Sequence, residues 1–320
     1  DYWYRATRII PYTINEFPLF SFLFADLHPH MIGIPFTLLS LALCLAVLEQ
    51  DAARPRQEVL SWVCVAVVLG ALGAINTWDL PTYWGVMGCC VLYRGYRRSA
   101  WNGLARSMAS LLLAALASVL LYAPFYAHYR AQYVGLASVA PGDASALAPF
   151  LAIWGLFVFL ALSALVTWWR TAWPWARLAR LAGRRGWRAT WHRVARLAGA
   201  QAFSSGAAAV GLAVTLAALS PHLAAQGREA LALAAPLVLM ALAAAMWPRR
   251  RSADVLVRLL TGVGVGIWAG VEVVYLTDFL AASEWRRMNT VFKFSIQAWT
   301  LLGVASGAML PSLWRGSLRR

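Results

Sequence analysis

The stretch that decides the fold is TINEFPLFSFLFADLHPHMIGIPF, Thr13 to Phe36. It places Asn15, Glu16, Asp26, His28 and His30 within sixteen positions, then enters an apolar run with no further charge until Glu49. The chain has 13 acidic residues and 5 histidines in 320. With so little ionisable material, two acids and two histidines at the mouth of one apolar run mark a functional entrance.

Outward from that stretch, composition points the same way. The chain is 61% hydrophobic and 13% charged, whereas soluble domains are roughly 45–50% apolar and about 25% charged. This predicts an all-α polytopic bundle embedded in a lipid bilayer. Runs approaching the ~20 residues a helix needs to cross hydrocarbon number nine: 31–48, 59–75, 80–93, 107–124, 147–169, 203–221, 229–247, 255–275 and 289–311. The third is short, and charge supports it. With residues 1–30 outside and every run crossing, 21 of the 28 basic residues fall on cytoplasmic segments, as the positive-inside rule expects. The net charge of +15 is therefore a topology signal, and nucleic acid is not expected as a partner. Arg170 to Gln201, with eight arginines among Trp173, Trp175, Trp187 and Trp191, reads as a basic segment on the cytoplasmic leaflet. Cys44, Cys64, Cys89 and Cys90 lie inside apolar runs and read as packing residues. The chain is expected to be a single transmembrane domain, a piece of a longer protein in a cell membrane, opening with an outer loop and interfacial helix over 1–30.

The same topology gathers the chemistry on the extracytoplasmic side. In DLHPH, Asp26, His28 and His30 share one side if extended, and Asp26 and His30 share a face if helical. They are candidate substrate or divalent-metal ligands; the alternative is that Asp26 caps the helix near Pro29 and the histidines are interface residues. Glu16, among apolar neighbours expected to raise its pKa, suits a general acid or base, or else a loop glutamate satisfied by backbone. NTWDLPTY supplies Asn76 and Asp79, which read equally as binding groups or a helix start. In EWRRMNTVFKFSIQAW, Arg286, Thr290, Lys293 and Gln297 follow helical spacing as a polar ridge. Lys293 is the sole lysine of the sequence and sits within a predicted span, where ionisable groups serve function or a partner unless they snorkel to the interface. With Arg286, Arg287 and Asn289 it suits a phosphate or pyrophosphate.

INEFPLFSFLFADLHPH, GAINTWDLPTY and RMNTVFKFSIQAW, spanning Ile14 to Trp299, together resemble the YYY-domain family of multi-pass membrane proteins. Members are typically longer at the N-terminus. The resemblance extends to the GT-C glycosyltransferases, whose polytopic folds use polyprenyl-phosphate-linked sugar donors at the outer face. It implies a GT-C-like fold, Glu16 or Asp26 as the catalytic carboxylate, and Arg286, Arg287 and Lys293 beside the lipid phosphate. The acidic pair of the first outer loop in such enzymes is expected before Asp1 or absent. Two other function classes fit the composition: a transporter or lipid flippase, which predicts ionisable groups near the bilayer midplane, and a non-catalytic assembly subunit.

Overall fold

The structure is a computed structural model that describes residues 2–25, 27–50, 55–130, 135–172, 200–246 and 251–318, with isolated positions 183, 186, 188 and 192. Most of the basic segment over 170–201, and Asp26, lie outside the described residues. The chain divides into two compact units, 1–143 with 270–301 and 144–269 with 302–320.

In the first unit two short helices, α1 (Tyr2–Ala6) and α2 (Pro18–Phe24), precede α3 (Pro29–Glu49) and α4 (Pro55–Ile75). Pro29 is the first residue of α3, where its fixed φ suits a helix and its missing N–H costs nothing. The extended residue before it is His28, so the start that sequence allowed to Asp26 belongs to His28. A 3-10 turn, Thr77–Asp79, leads into α5 (Leu80–Leu121). Helix α5 is a hairpin: Ser99 and Ala100 leave helical geometry, Ala100 with φ 46, and the Ser107 hydroxyl returns to the Val91 carbonyl at 3.1 Å. The limbs touch backbone to backbone. A Cβ on Gly103 would lie 1.8 Å from the Gly95 carbonyl oxygen, so only glycine permits this turn. This break separates the expected spans 80–93 and 107–124.

The second limb of α5 runs along α4, tied by Ser118 Oγ to the Ala66 carbonyl (2.8 Å) and Tyr122 Oη to the Val67 carbonyl (3.0 Å). Beyond α6 (Ala123–His128) lies an antiparallel pair absent from the sequence expectation, β1 (Gly135–Ser138) with β2 (Val274–Thr277). It satisfies the backbone of two connecting segments and joins them beside the start of α11 (Met288–Leu318). Residues 288–301 of α11 belong to this unit.

The second unit contains α7 (Leu147–Ala172), α8 (Ala200–Ala225), α9 (Glu229–Met246) and α10 (Ser252–Val271). Gly227, with φ 75, turns α8 into α9, and Ser220 Oγ donates to the Ala232 carbonyl at 2.8 Å. Glu229 accepts the Leu147 backbone N–H at 2.6 Å, fixing the starts of α7 and α9 together. Trp154 and Phe150 pack on Trp268 at 5.1 and 5.5 Å. Arg258 is buried, donating to the Ala244 carbonyl at 2.6 Å with its guanidinium 4.9 Å from the Trp168 ring.

Among the described residues six helices are long and apolar enough to cross a bilayer: Pro29–Glu49, Arg56–Ile75, Thr77–Leu121, Leu147–Trp169, Glu229–Met246 and Ser252–Val271. The Thr77–Leu121 helix is the hairpin. The runs expected at 203–221 and 289–311 lie on α8 and α11, which are not among the six. The all-α, multi-pass architecture therefore stands, and among the described residues these six helices carry seven of the nine expected runs, the hairpin holding two. Cys44, Cys64, Cys89 and Cys90 are free thiols within helices.

Candidate functional site

Helices α3, α5 and α11 begin, and α4 ends, at one end of the first unit, so their polar termini converge there. The centre is His30, in the first turn of α3 and 3% exposed. Its Nε2 lies 3.3 Å from Ser21 Oγ and 3.5 Å from Glu16 Oε2, while Ser21 donates to Glu16 at 3.1 Å. Helix α2 makes this triangle. Phe20 and Ser21 turn inward while Leu19, Phe22, Leu23 and Phe24 face out, so the one hydroxyl of PLFSFLF meets the carboxylate and the imidazole. His30 Nδ1 is buried without a hydrogen-bond partner. The His28 ring stands 5.2 Å from the His30 ring.

The expected rise in the Glu16 pKa is reversed. Burial pushes it up, but the His30 hydrogen bond and field, the Ser21 hydroxyl and the His28 field outweigh that and hold the carboxyl below its ordinary value. Sequence showed the apolar neighbours and not the histidine that folds back onto the acid.

Phe292, on α11, links this triangle to Lys293. Its ring lies 5.0 Å from the His30 ring edge-on, and Lys293 Nζ sits 4.6 Å from the same ring. Lys293 is half-buried, with Glu16 and Asp79 as its carboxylate neighbours in electrostatic reach. Among the described residues its ammonium has no ion pair within 4.0 Å.

Asp79 holds the residue position before α5, yet its side chain makes no cap hydrogen bond. It is 3% exposed and turned toward α3, against Gly33. Asn76, also buried, opens the 3-10 turn, and its carbonyl accepts the Asp79 N–H at 2.9 Å. Gln297 ties α11 to this corner, donating to the Trp78 carbonyl at 2.7 Å and accepting from Thr82. Of the polar ridge expected on α11, Thr290, Lys293 and Gln297 lie on the helix, whereas Arg286 precedes it.

Arg286, Arg287 and Asn289 do not join Lys293. Arg286 pairs with Asp143 at 2.9 Å, and that partner raises its pKa. Arg287 is buried with Glu272 at 3.0 Å, donates to the Val271 carbonyl at 2.8 Å, and reaches the Asp143 carbonyl. Asn289 donates to Asp278 at 2.6 Å, whose other oxygen takes the Leu280 N–H at 2.8 Å. These groups pin the β1–β2 pair and the loop before α11, and these bonds of the two arginines run to the protein itself, while the Nε of each has no hydrogen-bond partner among the described residues.

The structure thus brings together Glu16, His28, His30, Asn76, Asp79 and Lys293, and adds Ser21, Phe292 and Thr82, which sequence reading did not single out. Ser21 was detectable as the lone hydroxyl of an aromatic heptad; Thr82 and Phe292 carried no signal. Among the described residues no group of three His, Cys, Asp or Glu side chains could hold a metal ion, and the expected ligand set of Asp26, His28 and His30 includes one residue outside them. His30 Nε2 already faces Glu16 and Ser21, leaving Nδ1 as its available ligand atom.

A family model described as uncharacterized membrane protein (DUF2298) matches residues 1–302. No curated protein and no solved structure matches the chain.

Proposed function

The chain belongs to the DUF2298 family of uncharacterized membrane proteins, and from that premise we propose that it is a membrane glycosyltransferase. It moves a sugar from a polyprenyl-phosphate-linked donor to an acceptor hydroxyl at the polar end of the first unit. On the positive-inside reading of the arginines that end faces the extracytoplasmic side, and the GT-C-like fold is what the family resemblance implies. The observation that carries the reading is Lys293: a half-buried ammonium with no ion pair among the described residues, one aromatic ring away from an acid–imidazole contact.

In this reaction Glu16 accepts the Nε2–H of His30 and so fixes its tautomer, leaving Nδ1 to take the acceptor hydroxyl proton. The acceptor oxygen forms the new bond to the sugar's anomeric carbon. The bond from that carbon to the phosphate oxygen breaks, its electron pair stays on the phosphate, and Lys293 stabilises that charge. Asp26, two residues before His28, remains the alternative carboxylate for proton abstraction. Arg286 and Arg287 hold the loop that presents Lys293.

The test is transfer of radiolabelled sugar from polyprenyl-phosphate donors in proteoliposomes, with donor binding measured separately. Saturable binding and transfer, with binding weakened in Lys293→Met, support the reading; a chain that neither binds nor consumes any lipid-linked sugar overturns it. Transport is favoured by one observation, the Asp79 carboxylate buried between α3 and α5. Solute flux without sugar transfer would select that reading instead.

A further inference from the structure

Away from the polar site, a groove of about 660 Å³ runs between α4 and the second limb of α5. Its walls include Val59, Trp62 and Val63 on one side and Leu113, Ala117 and Leu121 on the other. The small side chains Ala66, Ser110, Ala114 and Ala117 make the hollow, while Val59, Leu113 and Leu120 are exposed along its rim. From Ser110 to Leu121 it extends about 17 Å at 1.5 Å per residue, close to one leaflet of a ~30 Å hydrocarbon core.

Two arginines precede the groove, one on each helix. Arg56 precedes Val59 and Val63 by three and seven residues, and Arg106 precedes Ser110, Leu113 and Ala117 by four, seven and eleven, so each shares the groove-lining face of its helix. The two helices run parallel, in the register fixed by Ser118 to Ala66 and Tyr122 to Val67. Arg56 lies ten residues before Ala66 and Arg106 twelve before Ser118, which sets their depths within about 3 Å of one another. Both are exposed. The nearby acid Glu58 is taken by Arg94 at 3.7 Å; among the described residues neither Arg56 nor Arg106 has a carboxylate partner, and Arg106 donates to the Ser99 hydroxyl at 3.1 Å. Trp101, 72% exposed in the first turn of the same limb, is suited to headgroup depth.

We propose that this groove is a binding site for one anionic glycerophospholipid, one of its two acyl chains lying between α4 and α5 and its phosphate held by Arg56 and Arg106. A phosphate on two guanidinium groups combines charge with directed hydrogen bonds, and an apolar trough one leaflet long matches a single chain rather than a helix. Zwitterionic lipid carries the same chain without the net charge. The proposal is independent of the catalytic reading, since the groove lies on other faces than Glu16, His30 and Lys293.

The purified chain in detergent is titrated with phosphatidylglycerol and phosphatidylcholine, and retained lipid is counted by native mass spectrometry. One phosphatidylglycerol adduct is expected to survive activation that strips phosphatidylcholine. Arg56→Gln and Arg106→Gln, both at exposed positions, should each weaken its retention roughly five-fold, and Ala117→Phe should remove it by filling the trough with both arginines intact. Equal retention of the two lipids, or an adduct indifferent to the arginine substitutions, overturns the proposal in favour of ordinary annular lipid. A dimer peak lost in Ala117→Phe, with no lipid bound, overturns it in favour of a second copy of the chain. If Ala117→Phe does not fold, as judged by gel filtration, the arginine pair decides alone.

Discussion

Gly33 and Asp79 are in contact across α3 and the start of α5: a Cβ on Gly33 would stand 3.0 Å from Asp79 Oδ2. The missing side chain leaves room for a buried carboxylate, so Gly33→Ala must displace either the acid or the helix. The expected cost is about 1–3 kcal/mol, seen as a lower thermal unfolding midpoint in detergent. Combined with Asp79→Ala the penalty should largely vanish, because the displaced group is gone. A penalty unchanged in the double variant would show that the added methyl does not act through Asp79, since the other neighbour, Ile75 at 3.8 Å, is at ordinary contact distance.

Arg287 and Lys293 should fail in opposite ways. Arg287 is buried against Glu272, so Arg287→Met removes the ion-pair partner of a buried carboxylate and should cost about 3–5 kcal/mol. Adding Glu272→Met should recover much of that loss. Lys293→Met removes a cation with no ion-pair partner among the described residues and should leave the unfolding midpoint nearly unchanged, with its effect falling mainly on donor binding. Comparable destabilisation in both single variants would make Lys293 a structural residue.

That contrast shows where the sequence is legible. Pro29 and Pro81 mark the starts of α3 and α5 because proline is tolerated in a helix's first turn, and the arginines between 94 and 106 mark the break at Ser99 and Ala100. The partners of Arg286 and Arg287 were not readable. Asp143 lies more than 140 residues away in sequence, and nothing local separates a guanidinium waiting for phosphate from one already paired. The β1–β2 pair was hidden for the same reason, since two four-residue strands show no period of their own and exist through register with one another. Glu16 reads in sequence as an acid among apolar residues, but its electrostatics are set by His30, Ser21 and His28, which fold back onto it.

Ala100 closes the α5 hairpin with φ 46 and ψ −125, a conformation that costs a residue bearing a Cβ but suits glycine. Ala100→Gly should therefore stabilise the protein by about 1 kcal/mol, after allowing for glycine's greater unfolded-state entropy. A raised thermal midpoint checks this; a lowered one would mean that the turn contributes no strain.

Glu16 should govern stability on the acid side. Its folded pKa is below the ordinary value of 4.5, so the stabilisation it provides is fully present above about pH 4.5 and is lost as pH falls through the folded value. Glu16→Gln should flatten that limb of the midpoint-against-pH curve while leaving the curve's shape above pH 6 intact. If the wild type and Glu16→Gln lose stability in parallel below pH 4.5, the contact with His30 and Ser21 does not form.

The proposed division of labour separates kinetically. Lys293→Met should mainly weaken donor binding, by about 1.5–3 kcal/mol for a lost charge-assisted hydrogen bond, with the turnover of bound donor less affected. His30→Gln removes the imidazole base and should lower turnover about 10²–10⁴-fold with donor binding little changed. Glu16→Gln acts through His30, so its loss should be smaller, and Glu16→Asp should restore part of it. Asp26→Asn supplies the decisive comparison. If it abolishes turnover while His30→Gln keeps it, proton abstraction belongs to Asp26 and the Glu16–His30 contact serves to hold α2 against α3. Full turnover in Glu16→Gln, His30→Gln and Asp26→Asn alike would remove base catalysis from this end of the unit altogether.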